Sequence, residues 1–154
     1  MTQLSMVDDP INSNILRALR VDGRLSNIAL AERVGLSPSA CLRRTQELEK
    51  AGVIVGYRAV TNPEAMGVGF IAYVAVGLSD HTKNAQLDFE RTMNAATQVR
   101  ECHNITGTVE YLLRVEVRDL AAYKHFHTEV LGVVPHVRSI TSYIVMGSPK
   151  DERA

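Results

Sequence analysis

Ser26-Asn27-Ile28-Ala29-Leu30-Ala31-Glu32-Arg33-Val34-Gly35-Leu36-Ser37-Pro38-Ser39-Ala40-Cys41-Leu42-Arg43-Arg44-Thr45-Gln46-Glu47-Leu48-Glu49-Lys50-Ala51-Gly52 decides how the first third of this chain folds. Two helical stretches flank a tight turn, each with its own start and stop signals. Ser26 can cap the first, with Ile28, Ala31 and Val34 as its expected inward positions, and Gly35 can take the left-handed conformation that ends a helix. Ser37-Pro38 then supplies a second cap and a first-position proline, and the helix it opens can run to Ala51-Gly52. At about 100° per residue this helix places Cys41, Thr45 and Leu48 on one narrow stripe and Ser39, Arg43, Gln46 and Lys50 on the opposite side. Small Ala31 lets the two helices approach closely. A helix, a short turn containing glycine, and a helix opening with Ser-Pro is the spacing of a helix-turn-helix.

Toward the N-terminus, Asp9 can cap a helix that has Pro10 at its first position, and Ile11, Ile15 and Leu19 recur at helical spacing until Asp22-Gly23 breaks the pattern. In the other direction, Val53-Ile54-Val55-Gly56-Tyr57-Arg58 has the pattern of a short strand and turn, which predicts a wing beside the helices. Residues 1–60 are thus expected to form a winged helix-turn-helix domain, followed by a linker over 61–68 around Thr61-Asn62-Pro63.

From Gly69 the period changes. Phe70 to Leu78 is strand-like, Ala85 to Ala96 helical, Val99 to Ile105 and Tyr111 to Val117 strand-like, Leu120 to Leu131 helical, and Val137 to Met146 strand-like. This β-α-β-β-α-β order predicts that residues 69–154 form a ferredoxin-like domain with both helices on one face of an antiparallel sheet, and the whole chain is α+β. In Phe70-Ile71-Ala72-Tyr73-Val74-Ala75-Val76 both alternating sets are apolar, which a strand open to water on one side does not need. In the last strand Ile140, Ile144 and Met146 fall on one side, Tyr143 and Val145 on the other. A second subunit is the natural cover, predicting at least a homodimer; wing or linker packing there is the alternative.

With 154 residues, 45% apolar and 22% charged, the chain can build a real core and lacks the composition of a disordered one. No stretch has the apolar length of a membrane span, and Met1-Thr2-Gln3-Leu4-Ser5 lacks the pattern of a signal peptide, so a cytoplasmic location is expected. Cys41 and Cys102 are too few for a disulfide scaffold and form no CxxC pair. Net charge is zero, yet residues 1–60 hold eight basic against six acidic side chains. Within 24–58 the excess sharpens to six (Arg24, Arg33, Arg43, Arg44, Lys50, Arg58) against three (Glu32, Glu47, Glu49), a modest footprint for a polyanion. Cys102-His103 on a strand and His125/His127 on a helix point apart, so no metal site is expected. No phosphate-binding loop, nucleophile elbow or zinc-protease motif is present, and neither a cofactor nor catalysis is expected.

The combination of Asp22-Gly23-Arg24-Leu25-Ser26-Asn27, Leu30-Ala31-Glu32-Arg33-Val34-Gly35-Leu36-Ser37-Pro38-Ser39-Ala40-Cys41, Leu48-Glu49-x-x-Gly52-Val53-Ile54-x-Gly56-Tyr57, Glu101-Cys102-His103, Gly107-Thr108-Val109-Glu110-Tyr111-Leu112-Leu113 and Ala122-Tyr123 resembles the Lrp/AsnC family of transcriptional regulators, over nearly the whole chain. That resemblance implies an N-terminal winged helix-turn-helix, a ferredoxin-like ligand-sensing domain, an amino acid or related metabolite as effector, and dimers that often assemble to octamers. It also implies a nucleoid-associated, non-enzymatic protein. Two positions depart from the family pattern: Asn12 stands where a second acid is common, and Glu110 where the effector loop commonly has Asp.

For duplex DNA, Ser37, Pro38, Ser39 and Ala40 are compact enough to lead a helix into the major groove. Arg43 is expected to donate to a guanine edge and Gln46 to read adenine, with Arg24, Arg33, Arg44, Lys50 and Arg58 neutralising phosphate. Glu47 and Glu49 would repel phosphate, favouring the first half of the helix. The bland alternative is a merely solvated helix face. An amino-acid effector needs an acceptor for its ammonium, free backbone N–H donors and an apolar wall. Residues 105–111 offer these in Ile105, Gly107, Thr108, Val109, Glu110 and Tyr111, with a hairpin turn and a solvated glutamate as the plain alternative. A rival from another class is a metabolite-binding or small ferredoxin-like enzyme domain carrying a helical module for protein contacts.

Overall fold

The computed structural model describes residues 3–151. They divide into two compact units, one running through Val60 and the other Thr61–Asp151, so that residues 61–68 group with the second.

The first unit holds helices α1 (Gln3–Val7), α2 (Pro10–Val21), α3 (Asn27–Val34) and α4 (Pro38–Lys50). α1 carries no capping or periodic signal and was not expected from the sequence. The Asp9 carboxylate caps α2 by accepting from the backbone N–H of Ile11 at 2.8 Å and of Asn12 at 3.1 Å. Ser26 and Ser37 cap α3 and α4 in the same way, accepting from the N–H of Ala29 and Ala40. Gly35 (φ 70°) closes α3 with paired bonds, its own N–H to Glu32 O and that of Leu36 to Ala31 O; Gly52 (φ 70°) repeats the arrangement at the end of α4. The core of this unit is Ile15, Leu30, Ala31, Cys41 and Leu48 with Met6 and Ala18. Here one expectation is corrected: Ile28 is 63% exposed and Leu30 occupies the core, because α3 presents its 30/31/34 edge to α2 and α4. A second correction concerns the strand expected over residues 53–58. Residues 53–58 contain no strand; Val53 and Ile54 bind back through their N–H groups to Leu48 O and pack on the core, while Val55 stands in solvent. A lone apolar run has no ladder to join when its own unit contains no other strand.

The second unit contains β1 (Phe70–Leu78), α5 (Lys83–Ala95), β2 (Val99–Asn104), β3 (Tyr111–Val117), α6 (Leu120–His125) continuing as a π-helical turn (Phe126–Leu131), and β4 (Val137–Ile144). The strands form one antiparallel sheet in the order β2-β3-β1-β4. Ala72, Val74, Val76 and Leu78 alternate inward from β1 and meet Tyr111, Leu113, Val115 and Val117 of β3 beneath Phe89, Met93, Tyr123 and Phe126 of the two helices. Ile71, Tyr73 and Ala75 face the other way, beside Leu112, Arg114 and Glu116 of β3 and Thr141 and Tyr143 of β4. Among the described residues of this unit, both helices lie on the opposite face. β4 ends two residues before Met146, whose side chain is fully exposed.

Candidate nucleic-acid interface and effector loop

α4 is fixed at both ends and along one side, which defines its free side. Asn27 Nδ2 donates to Pro38 O at 2.8 Å, tying the start of α3 to the start of α4. Cys41 and Leu48 are fully buried, and burial pushes the Cys41 thiol up, leaving it a packing group. Between them Arg44 turns to α2, where its Nη1 lies 2.9 Å from Asn12 Oδ1 and 3.1 Å from Asp9 Oδ2. Asn12 is itself buried and donates to Met6 O at 3.0 Å. Backbone donation from Asn12 and the Arg44 guanidinium hold the Asp9 carboxyl below its usual range.

What remains outward is Ser39, Arg43, Gln46 and Lys50, all exposed, with Arg24 and Arg33 exposed on the flanking elements. Arg43 makes only a surface pair with Glu47, at 3.1 Å with both side chains at least half exposed, a contact worth about 0.3–0.5 kcal/mol that a stronger acceptor can displace. Ser37 and Pro38 lead the helix, with the Ser37 hydroxyl engaged as the cap and Ala40 half-buried. The structure therefore brings Ser39, Arg43, Gln46 and Lys50 to one solvent face and turns Arg44 away from it toward Asp9. Sequence reading separated Arg43 on the outer face from Arg44, expected at phosphate, but could not show that Arg44 is held by Asp9 and Asn12, which lie more than 30 residues away. Asn27 was not singled out, and Asn12 was noted only as a departure from the family pattern, since their partners Pro38, Met6 and Arg44 lie in other helices. Tyr57 closes this region: its hydroxyl donates to Glu49 Oε1 at 2.8 Å, and burial with that carboxylate pushes its pKa up to about 12.

The loop after β2 is narrower than its sequence suggests. Ile105 N–H bonds to Glu110 O at 2.8 Å and Glu110 N–H to Val76 O at 3.1 Å, which pins both ends, while Thr106–Thr108 stay exposed and Val109 is half-buried. Glu110 turns inward: one oxygen accepts from the Leu78 N–H at 2.6 Å and the other lies 3.2 Å from His81 Nδ1. Gly77 lies beside this carboxylate, and a Cβ there would collide with Ser139 Oγ while meeting Glu110 Oε2 only in ordinary contact at 3.7 Å. Tyr111 is corrected from its expected place as a wall of the effector loop. It is fully buried on the helix side, 4.5 Å from the Phe89 ring, and its hydroxyl donates to Glu90 at 2.7 Å. Burial and Glu90 raise its pKa to about 12. Strand alternation accounts for the change: Glu110 and Tyr111 are neighbours and so point to opposite faces. Gly77, Leu78 and His81 were missed because they lie some 30 residues away, and only the β1–β3 pairing brings them to Glu110.

Residues 8–55 match the family profile described as winged helix-turn-helix DNA-binding, and residues 71–154 match that described as Lrp/AsnC ligand binding domain. The chain belongs to the Lrp/AsnC family. It is 37% identical over 142 residues to the leucine-responsive regulatory protein of Escherichia coli, covering 92% of this chain and 87% of that protein. Its structure is similar to that of a transcriptional regulator from Neisseria meningitidis solved as a complex with L-methionine, with a TM-score of 0.89, 36% identity, and 93% and 92% of the two chains covered. The feast or famine regulatory protein of Mycobacterium tuberculosis, also complexed with L-methionine, matches with a TM-score of 0.81 at 32% identity over 95% and 97% of the chains. This member of the Lrp/AsnC family is a DNA-binding transcriptional regulator. The DNA-binding profile over residues 8–55 sets aside the reading of that unit as a protein-contact module.

Proposed function

We propose that α4 is the reading helix, that Arg43 and Gln46 contact base edges in the major groove, and that Arg24, Arg33 and Lys50 contact phosphate, with Ser37 to Ala40 as the compact leading turn. The observation that carries this reading is the division of labour on α4: Cys41, Leu48 and Arg44 hold the helix to its unit, leaving Arg43, Gln46 and Lys50 exposed on the opposite side. Arg44 acts on DNA only through the position it gives the helix. Two copies joined through their C-terminal units carry two reading helices, so the operator is a pseudo-palindrome with half-sites about one helical turn or a multiple apart. The C-terminal unit binds an amino acid or related metabolite beside residues 105–110, Glu110 receiving the ammonium when His81, which is 69% exposed, moves off its outer oxygen. Support comes from the two relatives solved with L-methionine. Dimers assemble further to octamers, and the protein works on chromosomal DNA in the cytoplasm, without an enzymatic activity of its own.

Selection of bound fragments from genomic DNA supplies the operator for the decisive comparison. Arg43→Ala should weaken operator binding by about 1–3 kcal/mol, roughly 5- to 150-fold, and non-specific binding far less. Equal losses on both DNAs would move Arg43 to the phosphate contacts. Calorimetry with each of the common amino acids tests the effector assignment, and silence throughout would remove it.

A further inference from the structure

The exposed side of α4 carries two carboxylates, Glu47 and Glu49, and each has a partner of a different kind. Glu47 takes the Arg43 guanidinium at 3.1 Å, with both side chains at least half exposed. Glu49 Oε1 instead accepts from the Tyr57 hydroxyl at 2.8 Å, a neutral donor brought by the irregular segment that follows the helix. The tyrosine ring leans on the body of the unit. With Leu19, Leu25, Leu42 and Thr45 it lines a small cleft, and its Cδ1 lies 3.7 Å from where a Cβ on Gly23 would stand. On α4, Glu49 falls about 60° round the helix from outward Gln46 and about 40° from Thr45, which faces the cleft, so its side chain can swing to either side. The tie to Tyr57 takes it to the cleft side.

We propose that Tyr57 is a positioning residue for DNA binding: it holds the Glu49 carboxylate turned from the phosphate backbone, so that Arg43 and Lys50 meet the polyanion without an opposing charge swung between them and it. This rests on the reading of α4 as the DNA-facing helix and deepens it. A carboxylate and a phosphate repel one another through water over about 8–10 Å at physiological salt, so the direction in which a flank glutamate points changes the affinity. Restraint by a lysine or arginine would fail when it is needed, because DNA competes for any cation. A phenol carries no charge to be drawn away and keeps its hold as phosphate arrives. Burial and the neighbouring carboxylate raise the Tyr57 pKa to about 12, so the hydroxyl stays a donor at working pH. The rigid ring, resting beside Leu25 and Leu42, fixes where that donor stands. Phosphate repulsion carries no sequence information, so the effect falls on every duplex alike.

A double-mutant cycle on the full chain tests this. The parent, Tyr57→Phe, Glu49→Gln and the double variant are titrated with the selected operator and with a mixed-sequence duplex, at low and high salt. Tyr57→Phe keeps the ring and removes only the donor, and because the side chain is 52% exposed the variant should fold, as circular dichroism will show. At low salt it should bind both duplexes about 3- to 10-fold more weakly, the gap narrowing as salt screens the released carboxylate. Glu49→Gln leaves no charge to hold away. Tyr57→Phe should therefore cost nothing in that background, and the double variant should bind at least as tightly as the parent. Unchanged binding by Tyr57→Phe overturns the proposal. So does an equal loss in the Glu49→Gln background, which would mean that the hydroxyl shapes the unit or touches DNA itself, and so does a loss confined to the operator. Arg43→Ala, run alongside, separates this from failure of the reading beneath it. If Arg43→Ala weakens the operator complex and Tyr57→Phe does not, only the role of Tyr57 falls; if neither matters, α4 does not face DNA.

Discussion

Arg43 and Arg44 are adjacent, identical in chemistry and different in task. Arg44 meets Asp9 and the buried Asn12, so Arg44→Ala leaves Asn12 Oδ1 without its donor and should lower the unfolding free energy of the first unit by about 1–3 kcal/mol in urea titration. Arg43→Ala removes only a surface pair and should leave stability within about 0.5 kcal/mol. Asn12, which departs from the family's common acid, is thereby explained as the neutral acceptor in a three-residue knot with Arg44 and Asp9. Asp9 adds a pH dependence. Its carboxyl is depressed below 3.8 in the folded state, so its contribution is present above pH 3.8 and is lost as pH falls through the folded value. Asn caps a helix as well as Asp does, so Asp9→Asn isolates the charge. Thermal melts should show the variant less stable than the parent at pH 6, with the gap closing as pH drops below about 3.8.

α4 depends on packing more than on its outer face. Leu48 is fully buried at the point where α4 meets the other helices, and Leu48→Ala should cost about 2–5 kcal/mol, measured by chemical denaturation. The cavity would loosen the reading helix, so operator binding should fall with stability, the reverse of what Arg43→Ala does. At this scale the sequence was legible wherever the signal was local. Asp9-Pro10, Ser26, Ser37-Pro38, Gly35 and Gly52 end or begin their helices where their chemistry dictates. It failed where a neighbour decides. Residues 53–58 have strand composition and no strand, Ile28 has core composition and is exposed, and the second helix of the C-terminal unit widens into a π turn at Phe126 with no residue to announce it.

For the whole molecule, the open sheet face and α4 belong to one prediction. Tyr73 is half-buried in the middle of that face, and Tyr73→Glu should convert the dimer to monomer in sedimentation while leaving the sheet's opposite core intact. A monomer carries one reading helix, so operator affinity should fall toward that of a single half-site, and the salt dependence of log K should lose about half its slope because half the phosphate contacts are gone.

The β-α-β-β-α-β order of the second unit, the three N-caps and two glycine stops of the first, and the doubly apolar β1 were all written in the chain, because each depends on residues a few positions apart or on a simple alternation. That Arg44 is held by Asp9 and Asn12, that Tyr111 belongs to the core while Glu110 turns to Leu78 and His81, and that the Nε–H of buried Arg114 meets no acceptor among the described residues were decided only by the fold. Those outcomes depend on which distant backbone N–H, carboxylate or ring happens to arrive alongside, and strand pairing and helix docking create such neighbours across 30 residues or more without leaving a mark in the local sequence.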